Sequence, residues 1–326
     1  MSQRTYGKTM RAVTAATLVS AYLLVVLGST VRVTGSGMGC VSWPLCNGSL
    51  GLSGTYHALL EQSHRYLAAV VTILVVATFA AAWTLARRDR LVYGSAAVAL
   101  GLIGVQVILG AITVWLHNAG WTVALHLACA WLLVGAITVA TLGTWRASRA
   151  AGSPDPATRV APAGRAGLAA AALMYALGVS GMLVLDGGAS RACPGWPACG
   201  LGTGSTAQVA LQYLHRSVVL AATVMIIIAA MRTLRPAARA ARAVRILAGT
   251  ALVLLASTAA LGGVVATSGA PEAGQDLHLA LASALWITVV ALATPGAPGQ
   301  VRGREQPGPE VPRQDEPSRL PRPVSG

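Results

Sequence analysis

Eight stretches of about 20 or more mostly apolar residues leave this chain few ways to fold. They fall at roughly 11–31, 60–86, 92–116, 122–145, 166–186, 208–231, 244–268 and 275–294. At 1.5 Å rise per residue, each is long enough to cross a bilayer as a helix. Helices satisfy their own backbone groups where lipid offers no partner. Of 326 residues, 55% are hydrophobic and 10% charged, and the mean hydropathy is +0.63, which excludes an ordinary soluble domain. The expected class is an all-α integral membrane protein.

The net charge of +14 would suggest nucleic acid in a soluble protein, but the positions of the charges argue for topology. Twenty of the 24 lysines and arginines lie before the first span, after the second, fourth and sixth, or beyond the eighth. Only Arg32, Arg65, Arg191 and Arg216 fall at the other ends. The positive-inside rule then puts both termini in the cytoplasm and makes nucleic acid a poor partner. The first span reads as a retained helix, since its apolar run is long and no small-residue cleavage site stands out. No Arg- and Ser-rich transit pattern occurs, so a bacterial cell membrane is expected. Residues 296–326, rich in Pro, Gly and charge, read as a disordered cytoplasmic tail.

The chain repeats itself at an offset of about 152 residues. Cys40-Val-Ser-Trp43-Pro44-Leu-Cys46 follows span one, and Cys193-Pro-Gly-Trp196-Pro197-Ala-Cys199 follows span five. His64-Arg65 in span two matches His215-Arg216 in span six; Leu109-Gly110 matches Leu261-Gly262. Leu125-His126-Leu127-Ala128 in span four matches Leu277-His278-Leu279-Ala280 in span eight. Four spans return the chain to its starting side, so the reading is two pseudo-symmetric four-helix bundles related by an axis along the membrane normal. The N-terminal half covers 1–150, a cytoplasmic linker 151–165, and the C-terminal half 166–295.

Four of the six histidines sit in even-numbered spans, near the outer ends. An ionisable side chain inside a membrane is costly, and four at matched depth and repeat position point to function. A carboxylate-bridged di-iron site needs more acids than Glu61 and Asp276 supply. Zinc would want one tetrahedral cluster. Two imidazoles from facing helices suit the two faces of an iron porphyrin, so each half offers a heme pair: His64 with His126, and His215 with His278. Arg65 and Arg216 either pair with heme propionates or snorkel to the interface. His57 and His117 have no counterparts and read as interfacial, and Cys129 as a small packing residue. Both cysteine pairs lie on the outer side, where oxidation is permitted. Cys40 with Cys46 and Cys193 with Cys199 read either as loop-stiffening disulfides or, for the first pair, as participants in redox chemistry.

At these residues the chain resembles the heme A synthase family, membrane enzymes that convert heme O to heme A for terminal oxidases. The resemblance covers all eight spans and rests on Glu61-Gln-Ser-His64-Arg65, His126, His215-Arg216, His278 and the two cysteine pairs. It implies a heme b cofactor held by His215 and His278, and substrate heme O facing His64 and His126. It also implies oxidation of a ring methyl group to a formyl group through hydroxylated intermediates. An asymmetry supports this division of labour. Glu61 precedes His64 by three residues, where Gln212 precedes His215. A carboxylate takes or gives a proton and an amide does not, so catalysis is expected at Glu61.

The alternative is a non-catalytic di-heme electron carrier of cytochrome b type, which has no need of that asymmetry. A disulfide-exchange protein would leave the four histidines unexplained, and a heme carrier is a further reading. The expected partners are heme O, membrane lipid and heme O synthase, which supplies the substrate. The sequence names no electron donor or oxygen source and leaves a homo-oligomer open.

Overall fold

The computed structural model describes residues 3–51, 54–150, 163–235 and 242–294. Eight helices carry these residues: α1 (Gln3–Val33), α2 (Tyr56–Leu85), α3 (Arg90–Trp115), α4 (Gly120–Ala150), α5 (Arg165–Asp186), α6 (Thr206–Leu234), α7 (Arg242–Thr267) and α8 (Glu272–Ala293). All eight contain a segment long and apolar enough to cross a membrane. The chain is a multi-pass membrane protein. The tail from 296 and most of the 151–165 linker lie outside the described residues.

Each expected span is found, and most helices overrun it by a few residues. Apolar runs mark only the part in hydrocarbon, whereas the helix continues until its end groups find partners. At α6, Ser205 accepts from the Gln208 backbone while the Gln208 side chain returns to the Ser205 N–H, a capping box. At α3, the Asp89 carboxylate accepts from the N–H groups of Leu91 and Val92.

In the first four helices, α1 packs on α2 and α4, and α3 packs on the same two. The last four repeat this order of neighbours, with α5 and α7 each packing on α6 and α8. Helices α1, α4, α5 and α8 join the two sets, and α4 and α8 are the most buried of the eight. Lipid is as apolar as leucine, so helices associate through close packing and internal hydrogen bonds. Thr17 and Thr78 hydroxyls meet at 2.8 Å, and the Thr141 hydroxyl donates to the Thr14 carbonyl. Between the two sets, Thr30 donates to Asp276 at 2.7 Å and Arg32 pairs with Asp186 at 2.8 Å.

The centre of the junction is aromatic. Trp131 of α4 and Trp286 of α8 stack with centroids 5.7 Å apart, and Trp286 Nε1 donates to the Trp131 carbonyl. Tyr175 of α5 leans on Trp286 at 6.0 Å. Glycine makes the room. A methyl group at Gly178 would come within 2.4 Å of the Trp131 ring, and one at Gly135 within 3.1 Å of Trp286.

Gly178→Ala should therefore destabilise the protein by about 1–3 kcal/mol through overpacking. Gly101→Ala, with nothing within 4 Å, should be neutral or slightly stabilising. Thermal unfolding in detergent followed by circular dichroism compares the two. Equal melting temperatures would remove the close-packing account of this junction.

Candidate functional site

The four paired histidines lie within about the first three turns of α2, α4, α6 and α8, all at the end of the molecule that carries the disulfide loops. His64 and His126 fall within electrostatic reach of each other, and so do His215 and His278. The expected pairs are therefore brought together.

Each imidazole lies against a glycine of the preceding helix. A methyl group at Gly28 would sit 3.1 Å from His64 Nε2, and one at Gly110 would sit 3.5 Å from His126 Cε1. The same construction recurs at Gly181 (3.4 Å from His215 Cε1) and Gly262 (2.9 Å from His278 Cε1). A Cβ would crowd the ring at Gly28 and Gly262 and would just touch it at Gly110 and Gly181. Among the described residues, no three of His, Cys, Asp or Glu gather into one cluster. Paired imidazoles with small residues beside them fit a heme iron, which His64 with His126, or His215 with His278, would hold. The Nδ1 atoms of His126 and His278 are buried without hydrogen-bond partners.

Hydrogen bonds behind the rings differ between the pairs. Ser180 Oγ lies 2.9 Å from His215 Nδ1, and Gln106 Nε2 lies 3.4 Å from His126 Nε2. Sequence reading missed both residues. Gln106 is a polar residue inside a span and was open to detection on that ground. Ser180 carried no such signal, since a serine in a membrane helix commonly bonds its own backbone.

The loops above the histidines are tied down by the residues next to them. Glu61 of α2 is buried, with Oε2 accepting from the Cys40 N–H at 2.8 Å and Oε1 from Arg65 at 2.5 Å. Arg65 also donates to the carbonyls of Cys40, Ser42, Pro44 and Leu45. Cys40 and Cys46 form a disulfide with Cα atoms 4.7 Å apart. In the second half, Cys193 and Cys199 form the matching disulfide, and Arg216 donates to the carbonyls of Cys193 and Pro197. Gln212, matching Glu61, donates instead to the Ala189 carbonyl at 2.8 Å. Both arginines thus hold loop carbonyls in this structure. Glu61 faces the disulfide loop and Arg65, in addition to sharing a helix side with His64.

Of the remaining residues singled out in the sequence, His57 Nδ1 lies 2.8 Å from Ser36 Oγ. His117 sits in the α3–α4 turn with φ of 52°. Cys129 is buried and not in a disulfide, as its packing role requires. An open cleft of about 580 Å³, lined among others by Arg32, Arg191, Glu272 and Gln275, separates the ends of α1, α5 and α8. It lies apart from both histidine pairs.

This chain matches the family model described as cytochrome oxidase assembly protein over residues 11–56 and 52–290. It is 32% identical over 200 residues to a protein named heme A synthase from Exiguobacterium sibiricum, covering 60% of this chain and 65% of that one. It is 27% identical over 276 residues to a heme A synthase of Shouchella clausii, covering 83% of this chain and 91% of that one. It is also 37% identical over 141 residues to protoheme IX farnesyltransferase 1 of Natronomonas pharaonis, covering 43% of this chain and 29% of that one. The chain thus spans less than two thirds of the Exiguobacterium relative and nearly all of the Shouchella one. The resemblance in the sequence motifs, the eight helices and the matched family model agree: the chain belongs to the cytochrome oxidase assembly protein family.

Proposed function

We propose that this protein is a heme A synthase, oxidising a ring methyl group of heme O to the formyl group of heme A through hydroxylated intermediates. Family membership and the names of the relatives support the reaction class. The observation that carries the assignment of roles is the exchange of Glu61 for Gln212 between otherwise matching constructions. On this reading the chain works as two pseudo-symmetric four-helix halves. His64 and His126 receive the substrate heme in the first, and His215 and His278 keep heme b in the second. When bound, heme supplies the one-electron and oxygen chemistry that no side chain of this protein offers.

The residues of the chain then bind, orient and move protons. The two imidazoles of each pair come from different helices and would together hold and orient a bound heme. Arg65 locks the Cys40–Cys46 loop over the first pair and holds the Glu61 carboxylate at the same time. Glu61 is the group beside that pair able to accept or return a proton as the methyl carbon loses hydrogen. Gln212 donates a hydrogen bond to a loop and has no proton to exchange. The disulfides stiffen the loops, and Arg65 and Arg216 spend part of their donors on the loop carbonyls. The alternative of a di-heme carrier of cytochrome b type is not supported by the relatives, which are named heme A synthase, and it gives no use to Glu61.

The substrate would be made by heme O synthase, and an insoluble, reactive heme favours a handover between the two within the membrane. The arginine distribution supports a bacterial cell membrane location with both termini in the cytoplasm and the disulfide loops outside.

Co-expression with heme O synthase, followed by chromatography of extracted hemes, tests the activity. The parent protein should yield heme A or a hydroxylated intermediate; finding neither would end the enzyme reading. Glu61→Gln should lower conversion by about 10²-fold or more while keeping the heme b spectrum. His215→Ala or His278→Ala should remove that spectrum, and its survival would rule out these ligands. Topology is checked separately. Alkaline phosphatase fused after Leu50 or Leu201 should be active, and fused after Arg88 or Arg232 inactive; the reverse pattern would invert the orientation.

A further inference from the structure

Ser180 has one hydroxyl hydrogen and two claims on it. Its Oγ lies 2.9 Å from the Leu177 carbonyl and 2.9 Å from His215 Nδ1. The carbonyl can only accept, so the hydroxyl hydrogen goes to Leu177 and the Ser180 lone pair accepts from Nδ1–H. That fixes the His215 tautomer: Nδ1 carries the ring hydrogen and Nε2 keeps a free electron pair. A hydrogen bond behind a ligating imidazole also orients the ring and makes it a stronger donor to metal. With Gly28 matching Gly181, the residue matching Ser180 is Leu27, which has no hydroxyl.

The other half makes the opposite arrangement. Gln106 on α3 is buried, and its amide nitrogen lies 3.4 Å from His126 Nε2. An amide nitrogen only donates, so His126 Nε2 accepts with the electron pair that an iron would use. Its Nδ1, like Gln106 Oε1, is buried with no hydrogen-bond partner. At the matching position of α7 stands Thr258, whose hydroxyl donates back to Leu254 at 2.7 Å. Its side chain offers the His278 ring no donor, and the ring meets the Thr258 backbone carbonyl instead.

We propose that Ser180 and Gln106 are positioning residues that set different holds on heme iron: Ser180 commits His215 to lasting ligation, and Gln106 makes ligation by His126 exchangeable. This rests on the reading that the four histidines ligate heme. The chemistry follows from what each nitrogen loses when iron departs. His215 Nε2 would be left bare in an apolar interior, whereas His126 Nε2 recovers a hydrogen bond from Gln106. A pocket that must release a product needs the second behaviour, and a pocket that retains a cofactor needs the first.

The test uses the full chain, co-expressed with heme O synthase and purified in detergent, with apomyoglobin as the acceptor for dissociating heme. Gln106→Leu and Gln106→Thr should raise retained heme from about one toward two per chain and slow the faster phase of heme loss by about five- to tenfold, the worth of one hydrogen bond. Ser180→Ala should raise the midpoint potential of the retained heme b and hasten its loss. Ser180→Thr, which keeps the hydroxyl, should stay near the parent. Unchanged heme content and loss rates in both Gln106 variants, or a Ser180→Ala potential equal to the parent's, would overturn the proposal. The ligand reading fails differently, through a heme spectrum that survives His215→Ala. If that spectrum is lost as expected but Gln106 substitution changes nothing, only the present inference falls.

Discussion

Lipid offers no hydrogen bonds, and that constraint governs the whole molecule. Every backbone group within the hydrocarbon must be paired by the chain itself, which makes eight helices the answer to eight apolar stretches. The same demand reaches the side chains. Threonines turn back onto their own helices, as Thr138 does onto Val134, or bond across to a neighbour, as Thr17 does to Thr78. Against this background, a buried polar atom without a partner stands out. Such atoms occur at the histidine level, on Gln106, His126 and His278, and at the junction of the two helix sets, on Arg32, Asp186 and Asp276. The first group lies on the paired imidazoles and on the amide beside one of them. The second includes a charge pair that ties α1 to α5, where partial satisfaction is the cost of joining the two sets.

The disulfide loops extend this logic to the membrane boundary. His64 of α2 and His215 of α6 are each followed directly by an arginine, and each arginine gathers the carbonyls of the loop above it. Ligand and clamp therefore occupy adjacent positions on one turn, so a displacement of the loop is transmitted to the helix segment that carries the imidazole. Glu61 adds a third connection in the first half, since its carboxylate bridges the Cys40 N–H and the Arg65 guanidinium. The carboxylate is thereby held in place from two sides before any substrate arrives, which is the preorganisation that proton transfer benefits from. In the second half the glutamine binds the Ala189 carbonyl and leaves the disulfide loop to Arg216 alone.

Much of this was legible in the sequence because a membrane simplifies the code. Spans show as apolar runs, and histidines show because ionisable residues are rare within them. Their pairing follows from the repeat of His64-Arg65 and Leu125-His126 in His215-Arg216 and Leu277-His278. The helix ends were less legible: α6 starts at Thr206 because Ser205, which precedes the apolar run, caps it together with Gln208. The arginines illustrate a different limit. A cation beside a membrane histidine suits a propionate and a loop carbonyl equally well, and only the fold shows that the Cys40 and Cys193 loops pass within reach. Ser180 and Gln106 depend on register between neighbouring helices, which no pattern along one segment encodes.

Divergence in a few polar positions is a sparing way to make two repeated histidine pairs unlike each other. In a soluble protein, a lost hydroxyl or an added amide is compensated by water. Within a bilayer each change is felt at nearly its full electrostatic strength, because the surroundings do not rearrange to screen it. Three positions carry the contrast: Glu61 against Gln212, Gln106 against Thr258, and Leu27 against Ser180. Each lies one contact behind a histidine or its loop, and the four histidines and their glycines are kept. The placement of the paired imidazoles is thus preserved in both halves, while the groups around them differ, and on the proposed roles that difference would govern heme exchange and proton transfer. Tuning of this kind requires no change in helix packing, which explains how one arrangement of neighbours serves both sets of four helices.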